Sequence, residues 1–276
     1  MSVPAPSARL RFASMVQGAE EELDLAAGAL LIAAEEYPQL QPEPYLHRLD
    51  LLAERVRDRL SDETAPLVLL QELSRVLFEE EGFRGNAESY YDPRNSFLND
   101  VLDRRLGIPI TLSVVYLEVG WRLGLPLEGV NFPGHFLVRY EGEALRILVD
   151  PFQGGDLRFE GDAQALLDRL SGGSVPMQPH YLRPAGKKDI LFRILSNIKG
   201  IYLNSRDDPR ALAAVERLLI LRPEEAEERR DRGFILARLG RDAEARAELL
   251  AYLEHVPAAA DAPGVRLLLE QLNGEV

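Results

Sequence analysis

A 34-residue internal repeat in the last third of the chain constrains its fold more than any other feature. Tyr202, Ala211, Val215, Leu218 and Pro223 return one period later as Leu236, Ala245, Leu249, Tyr252 and Pro257, with Gly233 and Gly240 at further small positions. That period is the length of a helix–turn–helix unit, in which small residues let two antiparallel helices approach closely and a proline ends the second. Gly200 stands one residue out of step, so the first copy is imperfect. Two copies are fewer than a free-standing stack needs, so these hairpins are expected to pack on the preceding domain or on a helix over 264–272. Charged residues crowd the repeats between Glu224 and Glu248, the composition of a solvated face.

Upstream, apolar residues also recur at helical spacing. Leu23, Ala26, Ala27, Leu30, Leu31 and Ala34 form one face, and Pro38 stops it. Pro44 fits the first turn of a helix carrying Leu46, Leu49, Ala53, Val56 and Leu60, and Pro66 opens a third that runs to Gly82. Residues 1–15, rich in Pro and Ala, are expected to be a loose tail.

From Tyr90 the pattern changes to helix, helix, strand, strand. Ser96 to Leu106 reads as a short helix, and Pro109 begins a second whose Leu112, Val115, Tyr116, Val119 and Leu123 face a core. "LEGVNF", "GHFLVRY" and "LRILVD" are apolar runs of strand length, with a hairpin turn at Gly142. Side-chain alternation puts His135, Leu137 and Arg139 on one strand face and Arg146, Leu148 and Asp150 on one face of the next. His135 and Asp150 meet if the pairing register brings their ends together, and alternation alone leaves that register open. The stretch 172–186, rich in Gly and Pro, reads as a linker or surface loop.

Composition then narrows the chemistry. With 276 residues, 46% of them apolar, the chain can bury a substantial core. A net charge of −13 argues against a mainly electrostatic role on nucleic acid or anionic lipid. The absence of Cys rules out disulfides, thiolate zinc sites and a cysteine nucleophile. Four scattered His residues compose no metal site, and no phosphate-loop fingerprint is present, so neither metal nor cofactor is expected. No apolar run reaches the length of a secretory signal or membrane span, which sets the expected address as the cytoplasm.

The segments "NSFLNDVLDRRLGIPI", "GLPLEGVNFPGHFLVR" and "VDPFQGG", in that order and followed by the repeats, resemble the SirB-type family of bacterial proteins, a transglutaminase-like core followed by tetratricopeptide repeats. The resemblance covers nearly the whole chain. It implies an α+β fold: a papain-like helix packed on an antiparallel sheet, a helical N-terminal part and C-terminal α-hairpins. It further implies a catalytic triad whose nucleophilic Cys starts the helix at Gly107-Ile108-Pro109, and that position holds Pro109. His135 and Asp150 match the other two members. Without a thiolate for the imidazole to assist, the standard acyl-transfer chemistry is lost.

Thr111 and Ser113, downstream of Pro109, are the substitute hydroxyls, and both are weak nucleophiles that commonly bond backbone in a first helical turn. Asn95, Asn99, Asn131 and Arg139 are candidates to line a cleft, and Tyr90, Tyr91 and Phe97 to wall it. The expected organisation is a tail over 1–15, a core over 16–171, a linker over 172–186 and a repeat domain over 187–276. The expected function is a protein-interaction or regulatory role on a scaffold lacking its catalytic Cys, with a protein or peptide partner and neither nucleic acid nor membrane. The competing expectation is an amide or ester hydrolase or acyltransferase using His135 and Asp150 with Thr111 or water.

Overall fold

The computed structural model describes residues 7–60, 65–143, 145–173 and 175–274. Its first compact unit ends at Ile194 and its second begins at Leu195. The N-terminal layer contains α1 (Ala8–Val16), α2 (Leu25–Glu36), α3 (Pro42–Leu60) and α4 (Pro66–Ser74). Helix α1 lies where a tail was expected over 1–15: Ser7 accepts the Leu10 N–H as its N-cap, and Phe12 and Val16, one turn apart, are buried. The first six residues of that expected tail lie outside the described residues. Asp24 caps α2 through the Ala27 N–H. A wide π-helical turn, Arg75–Glu80, follows α4.

The middle of the unit holds β1 (Arg84–Gly85), α5 (Leu98–Arg104), β2 (Leu106–Gly107) and α6 (Pro109–Arg122), with β1 and β2 paired in parallel. Next come β3 (Leu127–Val130), β4 (Leu137–Glu141), β5 (Arg146–Asp150), β6 (Asp156–Phe159), α7 (Ala163–Ser171) and β7 (Pro184–Ala185). These strands form an antiparallel sheet in the order β6-β5-β4-β3-β7. The pairs Val130–Leu137 and Arg139–Leu148 fix which side chains share a face. One face buries Val130, Leu137 and Leu148 against Ala163, Leu166 and Leu167 of α7. The other meets α6, whose Trp121 donates its indole N–H to the Leu127 carbonyl at 2.8 Å.

The expected linker over 172–186 is partly structured. Pro179–Leu182 is a 3-10 turn, and Pro184–Ala185 joins the sheet edge against Gly129 and Val130, a position that tolerates a proline without a ladder N–H. The unit boundary falls inside α8 (Lys187–Asn204), later than the expected start of the repeat domain at 187. The reason is packing: Ile190 and Leu191 are buried, and the Lys187 ammonium donates to the Leu23 carbonyl at 2.7 Å, within the first unit.

The second unit comprises the end of α8, α9 (Asp208–Leu221), α10 (Ala226–Arg238), α11 (Asp242–His255) and α12 (Ala262–Gly274). The repeat residues Tyr202, Ala211, Val215, Leu218, Leu236, Ala245, Leu249 and Tyr252 are all buried. A Cβ on Gly233 would lie 2.7 Å from the Leu249 side chain, so the close approach there requires glycine. A Cβ on Gly200 would meet nothing within 4 Å, and the residue one period before Gly233 is Lys199, whose ammonium reaches Glu228 at 2.7 Å and Asp231 at 2.8 Å. The imperfect first copy thus carries an ion-pair network in place of a small-residue contact. No described helix is long and apolar enough to cross a membrane.

Candidate functional site

His135 leaves a tight turn in which Gly134 adopts φ 69° and the His135 N–H donates to the Phe132 carbonyl at 2.9 Å. It precedes β4, which starts at Leu137, so the turn and not the strand ladder aims its ring. Asp150 ends β5 and caps the 3-10 turn Pro151–Gln153. Its Oδ1 accepts from His135 Nε2 at 2.9 Å, from Phe152 N at 3.1 Å and from Gln153 N at 3.3 Å. Two backbone donors therefore fix the carboxylate that orients the ring. The two residues are only 5% and 3% exposed. With Nε2 donating, a neutral ring carries its lone pair on Nδ1, which has no hydrogen-bond partner among the described residues.

The Phe152 ring stands edge-on to His135 at 6.0 Å, and Tyr90 meets Phe152 at 6.2 Å and Tyr91 at 5.4 Å. Tyr91 is 72% exposed, so this aromatic series runs from the surface to the buried imidazole. Phe97 stays apart, in the core against Tyr37. Phe152 escaped the sequence reading, although its place two residues after Asp150 in "VDPF" was the available signal. A Cβ on Gly85 would lie 2.5 Å from the Phe152 ring, so glycine in β1 makes room for that ring.

Pro109 is the first residue of α6 and is buried, with Ile108 in extended conformation before it. The Thr111 hydroxyl accepts from Ile108 N at 3.1 Å and lies 2.7 Å from the Asn95 carbonyl, which accepts its proton. Half of a capping box is thereby formed by the N3 side chain. Ser113 is fully buried, and its oxygen has no partner among the described residues. Neither hydroxyl hydrogen-bonds His135, and Thr111 is committed to backbone.

The four candidate cleft residues separate. Asn95 is a buried brace: its amide donates to the Ser89 carbonyl at 2.7 Å, and its side-chain oxygen accepts from Asn86 at 3.0 Å. Asn99 is buried on α5, with its side-chain oxygen unpartnered among the described residues. Asn131 is exposed. Arg139 is buried rather than facing solvent or a cleft, because Glu128 at 2.6 Å and Glu141 at 3.0 Å neutralise it and the Leu182 carbonyl takes a further donor at 2.9 Å. Among the described residues no group of three or more His, Asp or Glu is arranged to hold a metal ion.

Residues 43–196 match the transglutaminase-like superfamily, and residues 198–272 match the tetratricopeptide repeat. Over 262 residues the chain is 40% identical to a UPF0162 protein of Xylella fastidiosa, covering 93% of this chain and 92% of that one. It is 33% identical over 258 residues to a UPF0162 protein of Pseudomonas aeruginosa, covering 94% and 93%. A shorter similarity, 46% over 83 residues, links 29% of the chain to 13% of F-box only protein 21 of Mus musculus.

Proposed function

Because this chain belongs to the SirB-type (UPF0162) family, with a transglutaminase-like core followed by tetratricopeptide repeats, we propose that it is a protein-interaction module whose core no longer performs thiol chemistry. The observation that carries this proposal is the start of α6. Buried Pro109 begins that helix, at the position where the family resemblance expects the nucleophile, and the nearest hydroxyl in sequence, Thr111, is turned to the Asn95 carbonyl rather than to His135. The His135–Asp150 pair then serves to lock the β4 and β5 ends, and the interaction falls to the repeats.

A groove between α10 and α12 supports that division. Phe234, Ala237, Leu268 and Leu272 line it, with Arg238 and Asp242 at its edge, and its volume is about 470 Å³. An acidic chain with such a mixed edge suits a basic or mixed-charge protein segment. The proposed setting is the cytoplasm, which cell fractionation tests. A photoreactive amino acid at Gln271, on the groove rim, should crosslink a defined protein segment in cells, and Leu268→Arg should abolish the crosslink. Ester or amide turnover by the full chain that His135→Ala abolishes would overturn the non-catalytic assignment. Crosslinking that Leu268→Arg leaves unchanged would overturn the groove.

A further inference from the structure

The antiparallel sheet ends differently at its two edges. At one edge β7 is two residues long and contributes Pro184, which has no N–H to offer a further strand. At the other, β6 has four residues and no proline, and among the described residues it pairs with β5 alone. Antiparallel pairing turns the N–H and C=O of every second residue away from the partner strand, and no hydrogen bond reaches those outward groups of β6 among the described residues. Asp156 and Arg158, its two charged residues, pair with each other, so neither is left free to guard the edge.

That edge lies in a cleft of about 620 Å³. Asp156 stands opposite Asp150 and Leu157 opposite Val149, so their side chains leave opposite faces of the sheet, yet both residues line the same space. The remaining walls also come from both sides. Gln71 and Arg75 belong to α4 and the π-helical turn, which stand on the α6 side, where the Tyr116 hydroxyl donates to the Leu70 carbonyl at 3.2 Å. Arg169 lies in the last turn of α7, which covers the other face. A space bounded from both faces runs along the open edge itself. The "QGG" of "VDPFQGG" closes one end: a Cβ on Gly155 would collide with the Ser74 hydroxyl, while one on Gly154 would meet nothing within 4 Å.

We propose that β6 docks an extended peptide segment of another protein, which adds a strand to the sheet inside this cleft. The unpaired backbone groups select the occupant, because donors and acceptors spaced along a strand edge are matched by another extended main chain. Helices on both sides of the edge admit a single chain and exclude a second copy of this sheet, which would bring its own helices to the same place. Leu157 and Phe159, the latter 55% exposed, share the α6 face and give every second residue of the segment an apolar neighbour, so the segment alternates apolar and polar residues. This surface belongs to the first unit and is independent of the groove in the second.

Because the chain has no Cys, one introduced thiol is a unique handle. In the full chain carrying Gln153→Cys, at the end of the cleft, a short peptide of alternating Val and Thr is attached through a disulfide, which holds it beside β6 at millimolar effective concentration. Amide hydrogen exchange within 156–159 should slow about tenfold or more. N-methyl groups on every second peptide nitrogen should abolish that protection in one phase, where they face β6, and spare it in the other. Phe159→Lys should restore most of the fast exchange. Exchange unchanged by the tethered peptide, or protection indifferent to the phase of methylation, overturns strand addition. Protection that grows with chain concentration in the absence of peptide, together with a doubled mass in sedimentation, overturns the peptide and assigns the edge to a second copy.

Discussion

Removing the Asp150 carboxylate should destabilise the first unit by about 2–4 kcal/mol. In Asp150→Ala, three donors lose their acceptor: His135 Nε2 and the amides of Phe152 and Gln153. The two amides lose an N-cap, worth about 1 kcal/mol, and the nearly buried imidazole N–H is left unsatisfied at about 1–3 kcal/mol more. Asp150→Asn retains a side-chain oxygen for the same donors and should cost about 1 kcal/mol. Trp121, the only tryptophan, lies in α6 of the same unit and reports its unfolding by fluorescence in urea. The expected result is a lowered midpoint with unchanged slope, larger for Ala than for Asn. If Asp150→Ala stays within about 0.5 kcal/mol of wild type, the carboxylate does not organise this corner.

Four further expectations rest on local geometry. In Pro109→Cys the introduced thiol should alkylate about tenfold faster at neutral pH than in the variant that also carries His135→Ala, and equal iodoacetamide rates refute imidazole assistance. Gly85→Ala should destabilise the protein by about 1–3 kcal/mol through collision with Phe152, whereas Gly200→Ala, in open space within α8, should stabilise it by about 0.5–1 kcal/mol; melting curves decide both. Burial holds the Glu118 carboxyl above its usual range despite Arg122 and the Ala26 N–H, so its folded state takes up a proton before the unfolded chain does. Its stabilising effect is fully present below the unfolded pKa and fades as pH rises through the higher folded one, so wild type should gain on Glu118→Gln between neutral pH and pH of about 4, measured by urea midpoints.

The elements legible in the sequence were those in which one local signal decided the outcome. Prolines at first helical turns placed α4 and α6, and the 34-residue period identified the buried residues of the second unit. The approach of His135 to Asp150 needed both the β4–β5 register and the turn before His135, neither of which alternation supplies. Helix α1 was missed because its proline-rich neighbours masked Phe12 and Val16, and β7 because a two-residue edge strand carries no periodicity. Arg139 was misplaced for a different reason. Its carboxylate partners come from β3, from its own strand and from residue 160, and only the folded sheet gathers them.

The π-helical turn at Arg75–Glu80 has an evolutionary consequence. Such a turn holds about one residue more than an α-helix would, as though an insertion had been absorbed inside a helix rather than expelled into a loop. It keeps Val76 and Leu77 buried while Glu80 pairs with Arg59 and Glu81 with Arg105. Loss of a single residue from this stretch would return it to α-helical winding and turn those two acids away from their arginines. A relative that lacks one residue in this stretch should therefore have changed the acid–arginine pairs with it, so that length difference and the charge exchange should be inherited together.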